Sequence, residues 1–213
     1  MIQNLVNLVN QAAKQAQHSR IYFLKQNFPI DDILWEGITG KHEVKFLKEL
    51  YEVDAENKTI KILNAEIEIP NSFYPLLLNY LKKKDILEKH NNYNFISPKF
   101  REDWALFFRA VHSLKEELVL SIVKEIDDLK NICKYFNGKE LEHADYSFYL
   151  EPLKGIRIAY LYWKGDEDFP PSLTILFDEI LTKHFMQDFV WGVVVETNSR
   201  IRNIEYYKSL FKD

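Results

Sequence analysis

Apolar positions along the chain follow two rhythms, and their order predicts the fold. Leu5, Val6, Val9, Ala12, Ala13 and Ala16 recur at helical spacing between Gln, Asn and Lys, and the pattern runs on through "RIYFLKQNF" until Pro29 stops it. "VKFLKELYEVD" and "KTIKILNAEIEI" then alternate over parts of their length, which predicts strands, with "AENK" as the hairpin turn and Pro70 closing the block. "NSFYPLLLNYLKKKD" predicts a helix capped by Asn71 or Ser72, with Pro75 tolerated in its first turn. After the short extended piece "YNFIS" come a helix in "PKFREDWALFFRAVHS" and a longer one from about Leu114 to Phe136, ended by Asn137 and Gly138. In the longer helix Leu118, Ile122, Ile126, Leu129 and Cys133 make a core stripe.

The final third returns to strands in "DYSFYL", "IRIAYLYW" and "LTILF"; after "LTKHFMQ", the stretch from Asp188 to about Lys208 mixes strand-like residues with a length that favours helix. Pro and Gly are scarce, at 7 and 6, and no linker or repeat interrupts the chain. The expected architecture is a single α+β domain, a mostly antiparallel sheet packed by several helices. Ile156 to Trp163 is almost wholly apolar, which predicts a central strand with both faces covered. Ile156, Ile158, Tyr160 and Tyr162 share one of its faces, and Arg157, Ala159, Leu161 and Trp163 the other. If Ser172 to Asp178 returns antiparallel with Trp163 opposite Ser172, Arg157 meets Asp178 in a cross-strand ion pair and Lys164 to Pro171 is the loop.

Composition narrows the function classes. Apolar residues make up 46% and aromatics 15%, enough for a true core, while a net charge of -4 argues against a general nucleic-acid binder. The basic run "YLKKKD" reads as the polar end of a helix. With one cysteine, Cys133, the chain forms no internal disulfide and builds no cysteine-ligated iron–sulfur cluster; the thiol is expected buried and inert. No apolar run reaches the roughly 18 residues of a membrane span, and the N-terminus lacks a signal-peptide pattern, so the expectation is a soluble cytoplasmic protein.

Candidate chemistry is sparse. In "WKGDEDFPPSLTILFD", Asp166, Glu167 and Asp168 lie between a glycine and two prolines. Six residues of extended chain, roughly 20 Å, separate such a loop tip from Asp178, so these acids are not expected to converge on one ion. A turn is the first reading and a ligand-contacting loop the second. "GITGKH" lacks a phosphate-loop pattern, with Trp35 and His42 at the positions that need glycine and Ser or Thr, and reads as a glycine turn into a strand. The histidines 18, 42, 90, 112, 143 and 184 form no zinc-binding spacing. His143 stands two residues before Asp145, and His184 four before Asp188, where one helical face would let the acid orient the imidazole. Tyr146, Phe148, Tyr149, Tyr160, Tyr162 and Trp163 gather in the final sheet, as core or as the wall of a pocket for a flat ligand.

"HADYSFYLEPLKGIRIAYLYWKGDEDFPPSLTILFD", with its core W-x-G-D-E-x-F-P-P…LFD, resembles the domain of unknown function 3786 family of anaerobic bacteria and archaea, and "FLKELYEVD", "YPLLLNYL" and "NFISPKF" follow that family's order of segments. Where members often carry histidine in the leucine-rich helix, this chain has Asn79. Some relatives are joined to an iron–sulfur domain similar to that of corrinoid proteins. The resemblance implies an accessory role near tetrapyrrole or one-carbon metabolism, in which this chain takes part from outside the cluster. Together these readings predict a binding module for a flat cofactor, a tetrapyrrole such as haem or cobalamin, or for a protein partner. Tyr160, Tyr162, Trp163, Asp166, Asp168, His143 and His184 are its candidate contacts. The rivals are an acid–base enzyme using Asp166 or Asp168 with His143 or His184, and a protein–protein adaptor using "DEDFPP" as a lip.

Overall fold

Gly37 and Gly40, both at positive φ (79° and 72°), turn the chain from a short 3-10 helix, Asp32–Trp35, into the first strand. "GITGKH" is therefore the glycine turn that was expected. The computed structural model describes residues 32–67, 69–70, 73–98, 102–109 and 112–211; the expected N-terminal helix and the caps Asn71 and Ser72 lie outside the described residues.

Strands β1 (Lys41–Phe46), β2 (Glu49–Asp54) and β3 (Thr59–Ile62) form an antiparallel sheet in that order. "AENK" is the β2–β3 turn, held by the Asp54 carboxylate, which accepts the N–H groups of Glu56 and Asn57 at 3.1 and 3.0 Å and the Asn57 side-chain amide at 2.9 Å. A second reversal hides inside "VKFLKELYEVD". Leu47 sits at φ 53°, where glycine is usual, because its side chain is buried and its N–H donates to Pro152 O at 2.8 Å. β3 stops earlier than its alternation suggests. Beyond it Leu63 N still donates to Leu50 O at 2.7 Å, and the Asn64 side chain then accepts from Leu50 N and donates to Lys48 O, both at 2.8 Å.

Helix α1 (Tyr74–Leu81) carries Pro75 in its first turn, as expected, and α2 (Lys84–Glu88) follows it. After β4 (Phe95–Ile96) come α3 (Glu102–Phe107), α4 (Glu116–Leu120) and α5 (Ile126–Tyr135). The single long helix expected from Leu114 to Phe136 is thus two. The Asp128 carboxylate accepts the N–H groups of Lys124 and Glu125 at 2.8 and 3.1 Å, a capping box that starts a fresh helix.

The second sheet contains β5 (Lys139–Leu141), β6 (Tyr146–Leu153), β7 (Ile156–Trp163) and β8 (Ser172–Asp178), in the order β4-β8-β7-β6-β5 and antiparallel throughout. Trp163 faces Ser172, and Arg157 Nη1 reaches Asp178 Oδ2 at 3.2 Å, as the register predicted. Helices α6 (Leu181–His184), α7 (Gln187–Arg202) and α8 (Ile204–Leu210) complete the described chain. The fold is α+β, with two antiparallel sheets in place of one.

Helix α7 binds the two sheets together. Tyr160 on β7 donates to Asn198 Oδ1 at 2.8 Å, and Asn198 Nδ2 donates to Leu114 O at 2.7 Å. Two residues further along, Arg200 is buried and forks onto Glu49 of β2 at 2.9 and 2.7 Å, with Glu196 at 2.6 Å. Its guanidinium lies 4.5 and 4.9 Å from the ring centres of Phe46 and Phe73. Burial works against the charge, but the Glu49 and Glu196 carboxylates outweigh it and hold the Arg200 pKa above its ordinary value.

Candidate functional site

The alternation of β7 divides the predicted contacts between two environments. Ile156, Ile158, Tyr160 and Tyr162 face the core with Phe148, Leu173, Ile175 and Phe177 of the neighbouring strands, all buried. Tyr160 is 0% and Tyr162 2% exposed, and Tyr160 stacks on Phe148 with ring centres 5.1 Å apart. Burial pushes the Tyr160 phenol up, which keeps it neutral and donating to Asn198. Neither tyrosine lines the groove described below; both are core residues, and the expectation that they touch a ligand is corrected by this packing.

The opposite face is partly open, against the expectation that both faces are covered. Leu161, Thr174 and Leu176 are half-buried, and Trp163 at the strand's end is 39% exposed. A groove of about 490 Å³ crosses this face from β4 to the β5–β6 turn, lined by Phe95, Leu176, Leu161, Leu141 and His143, with Tyr93 and Asn94 at one end. Tyr93, Phe95 and Tyr149 cluster there with ring centres 5.1 to 5.7 Å apart. Arg157 caps the cluster 5.2 Å from the Tyr93 ring while paired to the buried Asp178. Asp178 also accepts from Asn94 N and Ile180 N at 3.4 and 3.3 Å, and His90 Nε2 lies 4.0 Å from it.

The acidic loop is a tight turn. Asp166 Oδ1 accepts the N–H groups of Asp168 and Phe169, both at 2.9 Å, and Asp166 N donates to Phe169 O at 2.9 Å. Gly165 sits at φ 76°, and a Cβ there would lie 2.5 Å from Phe169 O. Asp166, Glu167 and Asp168 are all exposed, and among the described residues no three acidic, histidine or cysteine side chains converge as a metal site would require. His143 comes to the same end of the sheet, since Asp145 in its turn accepts Lys164 N at 2.8 Å. That bond engages the Asp145 carboxylate with the neighbouring loop, while His143 N donates to Ser147 Oγ at 3.0 Å and His143 lines the groove.

His184 does not join them. It ends α6, Phe185 is extended at ψ 156°, and Asp188 lies in the first turn of α7 with its carboxylate on Phe189 N at 2.8 Å. The helical face that His184 and Asp188 were expected to share is broken between them. Following the C-terminal end of β8, His184 lies at the sheet end opposite His143 and the acidic loop.

A family profile described as "Domain of unknown function (DUF3786)" matches residues 35–197, more than half of the chain. The chain belongs to the DUF3786 family. The DUF3786 match takes in both sheets, the acidic loop and every residue of the groove, and stops short of Arg200. No curated protein and no solved structure matches the chain.

Sequence reasoning named Trp163, His143 and the acidic loop as candidate contacts but missed Tyr93, Phe95, Leu161 and Leu176. The alternation of β7 and β8 contained Leu161 and Leu176, and the pairing of Arg157 with Asp178 marked their face. Cys133 is buried, and burial raises its thiol pKa, in keeping with the inert thiol expected.

Proposed function

We propose that this DUF3786 protein is a binding module that holds a flat, largely apolar ligand against the open face of its second sheet. The observation that carries the reading is the groove of about 490 Å³, apolar along its floor, aromatic at one end and bordered by His143 at the other. Ligand sites combine such apolar floors with few polar groups, and a planar ring system lies naturally on Leu161 and Leu176. The tetrapyrroles haem and cobalamin are the first ligands to test, with His143 as the group that would reach the metal of either.

The test is spectroscopic. Oxygen-free protein is titrated separately with haemin and cobalamin, alongside the variants Leu161→Glu and His143→Ala, each with its melting temperature. The expected result is one-to-one uptake with a shifted absorption band, loss of uptake in Leu161→Glu, and a displaced band in His143→Ala. No uptake by the unaltered protein, or uptake indifferent to Leu161→Glu, overturns the reading.

An adaptor role has an observation of its own: Phe169, 70% exposed, stands on the stiff proline-closed loop. Replacing Phe169 with alanine should then abolish capture of a partner while leaving melting unchanged. The acid–base reading draws less support, because the Asp166 carboxylate is turned into its own loop and Asp145 is held by Lys164 N.

A further inference from the structure

Register sets Tyr149 on the open face of the second sheet: it opposes Ala159, which in turn opposes Leu176. Two strands, β7 and β8, separate β6 from β4, about 14 Å of sheet at the usual strand spacing. The ring centres of Tyr149 and Phe95 are nevertheless 5.7 Å apart. Ala159 permits the approach, because its single methyl group lets the tyrosine ring lean across β7 toward Phe95 and Tyr93. Ala159 is 0% and Tyr149 6% exposed. Buried tyrosines usually give their hydroxyl a partner, as Tyr160 does with Asn198. The Tyr149 hydroxyl has none among the described residues. No described side-chain oxygen is both sealed from solvent and unpartnered, so this hydroxyl opens outward, beside the groove end that Tyr93 and Phe95 line.

Tyr93 brings a second phenol to the same end. It lines the groove, is 44% exposed, and its hydroxyl likewise has no partner among the described residues. The acids that adjoin Asn94 there are engaged: Asp178 holds Arg157, and Glu179 accepts the Asn94 side-chain amide at 3.2 Å. This end of the groove therefore offers hydroxyl donors, with the Arg157 guanidinium 5.2 Å from the Tyr93 ring. We infer that the ligand is a planar acid whose carboxylate is seated at this end, accepting from Tyr149 and Tyr93 while its ring system lies on Leu161 and Leu176. A carboxylate has an oxygen for each donor, and hydrogen bonds to an ionised acceptor are roughly twice as strong as neutral ones. The inference rests on the groove as the seat of the ligand and adds the ligand's chemical class. It separates rings that the groove alone does not: haem carries carboxylates at its edge, whereas cobalamin carries amides.

The test compares iron protoporphyrin, a diacid, with iron octaethylporphyrin, a similar ring without carboxylates, each added to the full chain from the same dilute detergent. Both carry iron, so any bond from His143 cancels in the comparison. The diacid should bind about tenfold more tightly. Tyr149→Phe and Tyr93→Phe should each weaken binding of the diacid about three- to tenfold and leave the octaethyl ring unchanged, and the double variant should bind both rings alike. Neither hydroxyl is bonded within the described chain, so both variants should melt at the temperature of the unaltered protein. A clear fall in Tyr149→Phe would mean that its hydroxyl is already satisfied, and overturns the inference. Equal affinity for the two rings, or an equal loss for both in the variants, overturns the inference and leaves the groove reading standing. Uptake of neither ring overturns the groove reading and the inference with it.

Discussion

The two faces of β7 come from one strand of near-uniform apolarity yet meet different surroundings. On one side, Tyr160 is stacked on Phe148 and bonded to α7; on the other, Leu161 is half-buried along a groove and Trp163 is 39% exposed. An apolar run therefore marks a strand as central without showing that both its faces are packed. The residues that read most readily as a ligand wall, Tyr160 and Tyr162, belong to the packed face, and plain leucines floor the open one.

Substitutions across the strand should sharpen that contrast. The largest effect is expected from Tyr160→Ala, which empties a packed site and should cost about 3–5 kcal/mol in urea unfolding. Arg157→Met comes next, at about 1.5–3 kcal/mol, because the buried Asp178 loses a charged hydrogen bond but keeps those from Asn94 and Ile180. Tyr160→Phe keeps the ring and leaves Asn198 Oδ1 without its donor, for about 1–2 kcal/mol. Leu161→Ala on the open face should fall below about 1 kcal/mol; a cost matching Tyr160→Ala would show that the open face is packed after all.

A smaller effect, away from both faces, belongs to Asp54. Bonds from Asn57, with Lys41 beside it, lower its carboxyl pKa to about 2. A depressed acid adds stability above its unfolded pKa, near 4, and loses it as pH falls through the folded value. Asp54→Asn should therefore flatten the acid limb of the stability profile between about pH 4 and 2, and an unchanged limb would count against the turn bonds.

The register of β7 and β8 was legible because the loop between them is marked by Gly165 and two prolines, which sets Trp163 opposite Ser172. From it the Arg157–Asp178 pair followed directly. The β1–β2 turn was not legible, since Leu47 holds a glycine-like conformation through burial and its bond to Pro152, 105 residues away. β4 and β5 are too short to announce themselves by periodicity. The candidate site was half legible: His143 and Trp163 border the open face, but Tyr93 and Phe95 reach it only because β4 pairs with β8, a long-range fact that no local pattern encodes.

The bond between Glu49 and Arg200 spans 151 positions. On a ribosome adding about 5–20 residues per second, Arg200 is made some 8–30 s after Glu49. Until then Glu49 must stay hydrated, and Phe46, whose ring the guanidinium covers, has to wait beside it. The first sheet is thus a latch that only the last long helix closes, and its ion pair stays unmade until nearly the whole chain has been synthesised.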